Sequence, residues 1–290
     1  MNCILCSNSQ LKLYTKDSYL HVPVFFCNNC NLYISGDSEE NLSRKIKEFY
    51  ANSYWDKKDI STEEAIKSNY SDTNSQGKRR QWISQFEFCK PYIMNKKKLL
   101  EIGSGQGQTL FWFEEQGFSV TGIEPDKRNA GLINQKLRSG KCTSGFIEDV
   151  DIHNKFDIIW ISHVIEHLLR PDELLAKLKK HLDKTGIIFI EIPNCENNTV
   201  LKDSVLTQPH TFHFSKKAIT ELAEKNEYKV ERCDYFRPAN LVEGGLNRVM
   251  RKRAISVANR YYRYYPKIIS TNTKGIDIRL ILRNNLHHNI

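Results

Sequence analysis

The chain has 290 residues, of which 40% are hydrophobic and 11% aromatic. A chain of this kind can bury one catalytic domain of about 200 residues with smaller attachments, which excludes wholesale disorder. The formal net charge of +9 favours anionic partners: nucleic acid, a nucleoside diphosphate or the surface of an anionic membrane. The sequence has no apolar run of roughly 20 residues for a spanning helix. It also lacks a signal-peptide pattern at Met1, so we expect a soluble, cytoplasmic protein.

Two Cys-x-x-Cys pairs stand near the N-terminus with 20 residues between them, Cys3 with Cys6 and Cys27 with Cys30. Each pair can place two thiolates on one metal ion, so we predict a zinc-binding module over residues 1–36. A closed four-thiolate site has no open position, which makes its role structural; the alternative is four unligated buried thiols. The remaining cysteines are scattered and are expected to be small buried hydrophobic residues: Cys89, Cys142, Cys195 and Cys233.

Residues 37–97 are mostly polar and predict a helical linker that also covers the ligand site. We expect a helix over Glu39–Tyr50, a loose stretch over Lys57–Gly77 and an amphipathic helix over Arg80–Met94.

From residue 98 to the end, apolar strands alternate with amphipathic helices, as is typical of a mainly parallel sheet with crossover helices. We predict an α/β fold whose seven strands are Lys98–Ile102, Ser119–Ile123, Thr143–Phe146, Asp157–Ile161, Gly186–Ile192, Lys229–Tyr235 and Asp277–Leu282. Helices are expected near 107–116, 127–138, 171–183 and 216–226, and a loop over Asn194–Gln208.

A long basic insertion, residues 237–272, separates the last two predicted strands. Its part over Asn247–Lys267 carries seven Lys and Arg, four Tyr and no acid. Arginine binds phosphate oxygens and tyrosine stacks on sugars or bases, so the segment suits a nucleotide-sugar diphosphate, RNA or an anionic membrane. The alternative is a solvated pair of helices over the sheet.

A glycine-rich turn follows the first strand, within the run Leu99-Leu100-Glu101-Ile102-Gly103-Ser104-Gly105-Gln106-Gly107. Glycines allow a ligand to approach the backbone, and the next helix offers free N–H groups to a negative group. Glu101 suits the ammonium of an amino-acid ligand and would repel a pyrophosphate. Glu124 ends the second strand and suits ribose hydroxyls. Glu148 and Asp149 follow the third strand and suit an adenine.

These motifs resemble, in order and spacing over residues 98–235, those of class I S-adenosylmethionine (SAM)-dependent methyltransferases. The motifs are Glu101–Gly107, Glu124, Glu148–Asp149, Phe156-Asp157 and His163-Val164-Ile165-Glu166-His167, with Pro171 following. The resemblance implies a Rossmann-like fold and SAM as cofactor. The implied cofactor-binding residues are Glu101, Gly103, Ser104, Gly105, Gly107, Glu124, Pro125, Glu148, Asp149 and His163. A dinucleotide is the alternative ligand of such a turn.

The candidate catalytic residues are Glu166, His167, His210 and His213. His167 follows the fourth strand and can act as a base toward a hydroxyl; alternatively, Glu166 and His167 cap the next helix and hold the cofactor loop. His210 matches the basic histidine of sugar C-methyltransferases that have a similar zinc module. Pro209 and Thr207 depart from that pattern, so O-methylation is favoured over C-methylation.

A divalent metal is a further alternative at His163, Glu166, His167 and His210. A Glu-His pair followed by a distant histidine resembles metal-assisted O-methyltransferases, in which a second glutamate occupies the place of His163.

Three functions follow from this sequence. The first is methyl transfer to a small molecule, a sugar or nucleotide sugar, in polysaccharide or metabolite biosynthesis; the segment Phe49–Trp55 adds to this, since it resembles the cofactor cover of related polysaccharide methyltransferases. The second is RNA methylation, which zinc knuckles and net basicity favour. The third is a non-catalytic scaffold that binds zinc and SAM.

Overall fold

The computed structural model describes residues 1–52, 64, 76–238 and 267–285. Most of the predicted loose stretch Lys57–Gly77, and the basic insertion from residue 239 to 266, lie outside these residues. Among the residues described, no helix is both long and apolar enough to cross a membrane.

The N-terminal residues form a small antiparallel sheet around the paired cysteines. Its strands are β1 (Lys12–Thr15), β2 (Val24–Cys27) and β3 (Leu32–Ser35), and they are followed by the helices α1 (Glu39–Asn52) and α2 (Gln76–Cys89). A 3₁₀ turn over Lys90–Tyr92 ends α2, where Pro91 removes a backbone donor.

The remainder of the chain alternates strands with helices. The elements are β4 (Lys98–Ile102), α3 (Gln108–Glu115), β5 (Ser119–Glu124), α4 (Lys127–Lys136), β6 (Lys141–Ser144), β7 (Phe156–Ser162), a 3₁₀ turn (Ile165–His167), α5 (Pro171–Lys179), β8 (Leu182–Pro193), α6 (Asn198–Thr207), β9 (Phe212–His213), α7 (Lys216–Lys225), β10 (Tyr228–Pro238), β11 (Lys267–Ser270) and β12 (Asp277–Asn284).

The main sheet has the strand order β11-β10-β12-β8-β7-β4-β5-β6. The neighbours from β8 to β6 pair in parallel, whereas β12 is antiparallel to both β8 and β10. The central strands β4 and β7 are buried along most of their length, because helices cover both faces of a sheet of this kind. The carboxyl ends of the parallel strands meet at one edge, where open α/β folds bind ligands.

Among the residues that the structure describes, the main sheet has eight strands, so the predicted number of seven is wrong. The additional strand is β11, which pairs with β10 in the antiparallel direction from Lys267 to Ser270. It is only four residues long and begins at Lys267, the last residue of the basic segment, so its sequence looks like part of the insertion. The Rossmann-like α/β class and the mostly parallel character of the sheet are confirmed.

Two local predictions were also wrong. Residues 198–207 form a helix rather than part of a loop, with the Asn197 side chain capping its N-terminus through the Thr199 N–H. The buried face of this helix includes Ser204, which concealed its apolar periodicity. Strand β6 begins and ends two residues earlier than the predicted strand Thr143–Phe146. It ends at Ser144 because Gly145 turns the backbone with a φ of 150°.

The cysteine module, defined here as residues 1–36, is continuous with the main domain. The two-residue strand β9 pairs with β3 and makes it a four-stranded sheet, in which Tyr33 faces His213 and Ile34 faces Phe212. Leu5 and Leu32 of the module are fully buried in the same hydrophobic core as Ile190 of the main sheet. The module therefore has a fixed place beside the carboxyl edge of the sheet.

Candidate active site and relatives of the chain

The glycine turn after β4 has a backbone that side chains would strain. Gly103, Gly105 and Gly107 have φ values of 71°, 56° and 79°, which L-residues rarely adopt. A Cβ at Gly103 would lie 2.4 Å from Val164 Cγ2, and one at Gly107 would lie 2.5 Å from Ile133 Cγ1. All three predicted glycines are thus required by the turn, and Gly107 is also the N-cap residue of α3.

Glu101 is buried beside this turn, with 4% of its surface exposed. Burial raises the pKa of its carboxyl to about 8. Oxygen Oε2 has no hydrogen-bond partner among the described residues. A buried acid with a spare oxygen fits the ammonium of the predicted methionine moiety, since a cation would restore its charge.

Glu124 joins the turn to the second strand of the sheet. Its carboxylate accepts hydrogen bonds from the Gly105 N–H at 2.7 Å and from the Asp126 N–H at 3.0 Å. The Gly103 and Ser104 N–H groups donate to the carbonyl of Ile123, at 2.9 and 3.1 Å. The turn is therefore rigid before any ligand binds.

A cavity of about 440 Å³ opens in front of the turn, within the size range of small-molecule sites. Six of the predicted cofactor-binding residues line it: Gly103, Gly105, Glu124, Pro125, Glu148 and His163. Helix α1 covers it with Ile46, Lys47 and Tyr50. Of the other four predicted residues, Glu101 and Ser104 are buried, and Gly107 is the N-cap residue of α3. Asp149 forms an exposed ion pair with Lys47 at 3.7 Å, outside the cavity lining.

His163 stands between the cavity and a buried network of charges. Its Nδ1 lies 3.4 Å from Glu166 Oε1, and its Nε2 lies 3.3 Å from Glu191 Oε1. Burial alone would lower the pKa of His163, but these two carboxylates raise it to about 10. The two carboxylates therefore favour the cationic form of His163, whose backbone is left-handed with a φ of 55°.

The buried network behind His163 was not predicted from sequence. The Glu191 carboxylate contacts Arg279 and accepts from Gln85 Nε2 at 2.9 Å. Lys267 Nζ lies 2.5 Å from Asp277 and 3.6 Å from Glu191. The sequence pattern places Lys267 in the solvated basic segment, yet β11 places it in the interior. The sequence did contain a signal for this network: Glu191 and Arg279 are charged residues within largely apolar stretches of β8 and β12.

A second group of side chains forms what we call the histidine cluster: Glu166, His167, Ser204, His210 and His213. The rings of His167 and His210 have centroids 4.4 Å apart. Ser204 Oγ lies 2.6 Å from His210 Nδ1 and 2.7 Å from His213 Nδ1. The structure thus brings all four predicted catalytic residues together, and adds Ser204.

Burial favours the neutral form of all three imidazoles of the cluster. Burial lowers the pKa of His167, takes that of His210 well below its usual value and that of His213 to about 3. His167 Nδ1 lies 2.8 Å from the Tyr50 hydroxyl and 3.3 Å from the Pro209 carbonyl. A carbonyl can only accept, so this contact favours the Nδ1–H tautomer and leaves a lone pair on Nε2 of His167.

Two sets of side chains have the spacing of metal ligands. Potential ligand atoms of Cys3, Cys6, Cys27 and Cys30 all lie within 4.8 Å of one another, as do those of Glu166, His167 and His210. In the cysteine set, two sulfur pairs are 3.9 and 3.6 Å apart. These distances are too long for a disulfide and close to the roughly 3.8 Å between thiolates on tetrahedral zinc. The chemistry of the donor atoms therefore fits zinc at the cysteines.

A model of the methyltransferase-domain family matches residues 75–232, more than half of the chain. The chain belongs to this family. Its fold, with the glycine turn and an acid at the end of β5, is that of class I SAM-dependent methyltransferases.

Two curated methyltransferases are similar to part of this chain. A protein named as an uncharacterized methyltransferase of Alkaliphilus oremlandii is 33% identical over 102 residues, which are 34% of this chain and 47% of that protein. A ubiquinone biosynthesis O-methyltransferase of Rhodopseudomonas palustris is 29% identical over 122 residues, 37% of this chain and 47% of that protein. The chain thus spans about half the length of the curated relatives that it matches.

A solved structure shows the same fold over most of the chain. The plantazolicin methyltransferase BpumL, in complex with S-adenosylhomocysteine (SAH), superposes with a TM-score of 0.54 and 17% sequence identity. The match covers 85% of this chain and 98% of BpumL.

Proposed function

We propose that this methyltransferase domain moves the methyl group of SAM to a hydroxyl oxygen of a small-molecule acceptor. The observation that carries the proposal is the continuity of one cavity. The glycine turn and Glu124 form one part of its lining, and His163 and His167 form another. A methyl donor held by the turn would therefore share a chamber with an imidazole that can accept a proton.

The reaction needs only SAM, the acceptor hydroxyl and a proton acceptor on the chain. The acceptor oxygen forms a bond to the methyl carbon as the carbon–sulfur bond breaks, and sulfur keeps the electron pair to give SAH. The hydroxyl proton passes to Nε2 of His167, whose Nδ1 side is occupied by Tyr50 and Pro209. The chain contributes alignment of the two reactants and this proton acceptor.

The cofactor is held, in this proposal, by the residues that line or support the turn. The Glu124 carboxylate binds the ribose hydroxyls, Glu101 compensates the ammonium, and Pro125 with Glu148 flanks the adenine. These assignments rest on the positive φ glycines, on the spare oxygen of Glu101 and on the cavity lining.

We also propose that the four N-terminal cysteines hold one structural zinc ion. Three of the four are buried, and Asn29 Nδ2 approaches the exposed Cys6 sulfur at 3.9 Å. Hydrogen bonds of this kind orient and stabilise metal-bound thiolates. No open coordination position is left for substrate, so the ion acts on folding and not on the reaction.

The acceptor class is proposed from two sources. Sequence resemblance suggests a sugar or nucleotide sugar, and the O-methyltransferase name of the Rhodopseudomonas relative agrees with an oxygen acceptor. The second candidate, RNA methylation, is favoured by the net charge of +9. The two differ in the predicted effect of salt, because RNA binding weakens steeply as salt is raised.

The deciding experiment uses the full chain with methyl-labelled SAM in three separate reactions. One contains a pool of nucleotide sugars, one a pool of hydroxylated metabolites, and one RNA. Label in a hydroxylated small molecule supports the proposal. Label in RNA, with salt-sensitive binding, replaces it with the second candidate. SAM binding without transfer to any pool, in repeated assays, would indicate a scaffold that retains only the cofactor site.

A further inference from the structure

We propose that the cysteine module forms part of the active site, with Ser35 as the positioning residue that holds His210. The inference rests on the proposed function, because it concerns the histidine cluster that would accept the proton. It assigns the cysteine module a role beyond metal binding. The contacts that carry it come from three sides of the segment His210–His213.

The first contacts come from β3 of the module. The Ser35 N–H donates to the Thr211 carbonyl at 2.9 Å, and the Ser35 hydroxyl donates to the His210 carbonyl at 2.9 Å. Beyond them, Tyr33 and Ile34 pair with His213 and Phe212 as neighbouring strands. Ser35 is buried, so water does not compete for these bonds.

The second contacts come from the 3₁₀ turn that carries Glu166 and His167. The Thr211 N–H donates to the Glu166 carbonyl at 2.9 Å. The Thr211 hydroxyl lies 2.9 Å from the same carbonyl and 2.7 Å from that of Leu168. The segment is thus clamped between the module on one side and the His167 turn on the other.

The third contacts hold the imidazoles through helix α6. Ser204 of this helix contacts Nδ1 of both His210 and His213. Helix α6 in turn packs on the module, where Val24 of β2 shares a small core with Leu201 and Val205. The Tyr19 N–H also donates to the Val205 carbonyl at 2.9 Å. Both the backbone and the side chain of His210 are therefore supported by the module.

None of these contacts reaches the glycine turn or Glu124, which are built from β4 and β5. A shift of the module should therefore move His210 relative to His167 and leave the glycine turn and Glu124 in place. Methyl transfer is sensitive to displacements of about 1 Å, whereas SAM affinity depends on the turn. The inference thus predicts a separation of kcat from cofactor affinity.

The test compares two single substitutions in the full chain, Ser35→Ala and Ser18→Ala. Ser18 is a matched control, because its buried hydroxyl also donates to a carbonyl at 2.9 Å, that of Val22 within the module. We expect Ser35→Ala to lower kcat roughly tenfold with an unchanged SAH dissociation constant. Ser18→Ala should cost similar stability and leave kcat within about twofold of the parent.

A second readout does not depend on turnover. In the histidine-labelled protein, Ser35→Ala should shift the imidazole NMR signals of His210 and His213, and leave that of the distant His181 unchanged. Ser18→Ala should shift none of the three. Equal effects of the two substitutions, or a loss of SAH affinity parallel to the loss of kcat, would overturn the inference. If no acceptor is ever methylated, the proposed function fails, while the NMR comparison still decides whether Ser35 positions His210.

Discussion

The Glu124 carboxylate accepts a hydrogen bond from the backbone N–H of Gly105 at 2.7 Å. The acid at the end of the second strand and the middle glycine of the turn therefore hold each other in place. Each carboxylate oxygen can accept more than one hydrogen bond, so Glu124 can bind ribose hydroxyls and keep its backbone partners. Glu124 thus supports the turn, and in the proposed function it also binds the cofactor.

We expect Glu124→Ala to raise the SAM dissociation constant about tenfold or more. The change removes the proposed ribose bonds and the acceptor for the Gly105 N–H, each worth roughly 1 kcal/mol or more. Glu124→Gln retains one oxygen and should have an intermediate effect. Titration calorimetry with SAM measures both variants, and unchanged affinity in Glu124→Ala would refute the assignment.

Glu101 should show opposite effects on stability and on binding. Its pKa is about 8 in the folded protein, against an ordinary value of 4.5. Between these values the unfolded chain ionises and the folded chain does not, so the acid progressively destabilises the ligand-free protein as pH rises from 5 to 8. Glu101→Gln removes this penalty and the charge that would compensate the ammonium.

The measurement is thermal unfolding of Glu101→Gln and its parent at pH 5 and pH 8, with and without SAM. Without SAM, the variant should gain stability relative to the parent as pH rises. With SAM, it should show the smaller ligand-induced increase in Tm. A stability difference independent of pH would mean that the acid is ionised in the folded chain.

Tyr50 should matter for turnover more than for cofactor binding. Its hydroxyl lies 2.8 Å from His167 Nδ1 and helps to fix the orientation of that ring. We expect Tyr50→Phe to lower kcat about three- to tenfold and to change SAM affinity by less than about twofold. Tyr14→Phe, at an exposed tyrosine of β1, is the matched control. Equal kcat in the two variants would show that the Tyr50 hydroxyl does not orient His167 for catalysis.

The cysteine site should bind one zinc ion that native mass spectrometry detects. Cys27→Ser removes one ligand and should lose the ion, with a decrease of several kcal/mol in the free energy of unfolding. Cys233→Ser is the control, since this half-buried cysteine lies outside the cluster. Absence of zinc from the parent, together with equal stability of the two variants, would show that the four thiols are unligated.

Much of the fold was predictable because the local pattern of apolar residues agrees with the strands and helices that form. The strand Lys98–Ile102 was placed at its observed bounds, and the predicted order of strands and helices holds from there to α5. The short strand β11 and helix α6 were missed for physical reasons. Four residues at the edge of a basic segment give no periodicity, and a buried serine in α6 interrupts its apolar face.

The site was predictable where one residue type is suited to one purpose. Glycine adopts a positive φ without strain, and an acid at the end of a buried strand is stable only when it has polar partners. The partners that orient the histidines were not predictable, because Ser35, Ser204 and Thr211 act through contacts between distant parts of the chain. Ser35 and His210 are 175 residues apart, and only the pairing of β3 with β9 brings them together.

The most direct test of the central claim is calorimetric titration of the full chain with SAH. We expect SAH to bind at a single site, with an affinity in roughly the micromolar range and a clear loss in Glu124→Ala. Absence of binding by the folded parent protein, at SAH concentrations of about 1 mM, would contradict the assignment of this cavity to a methyl donor.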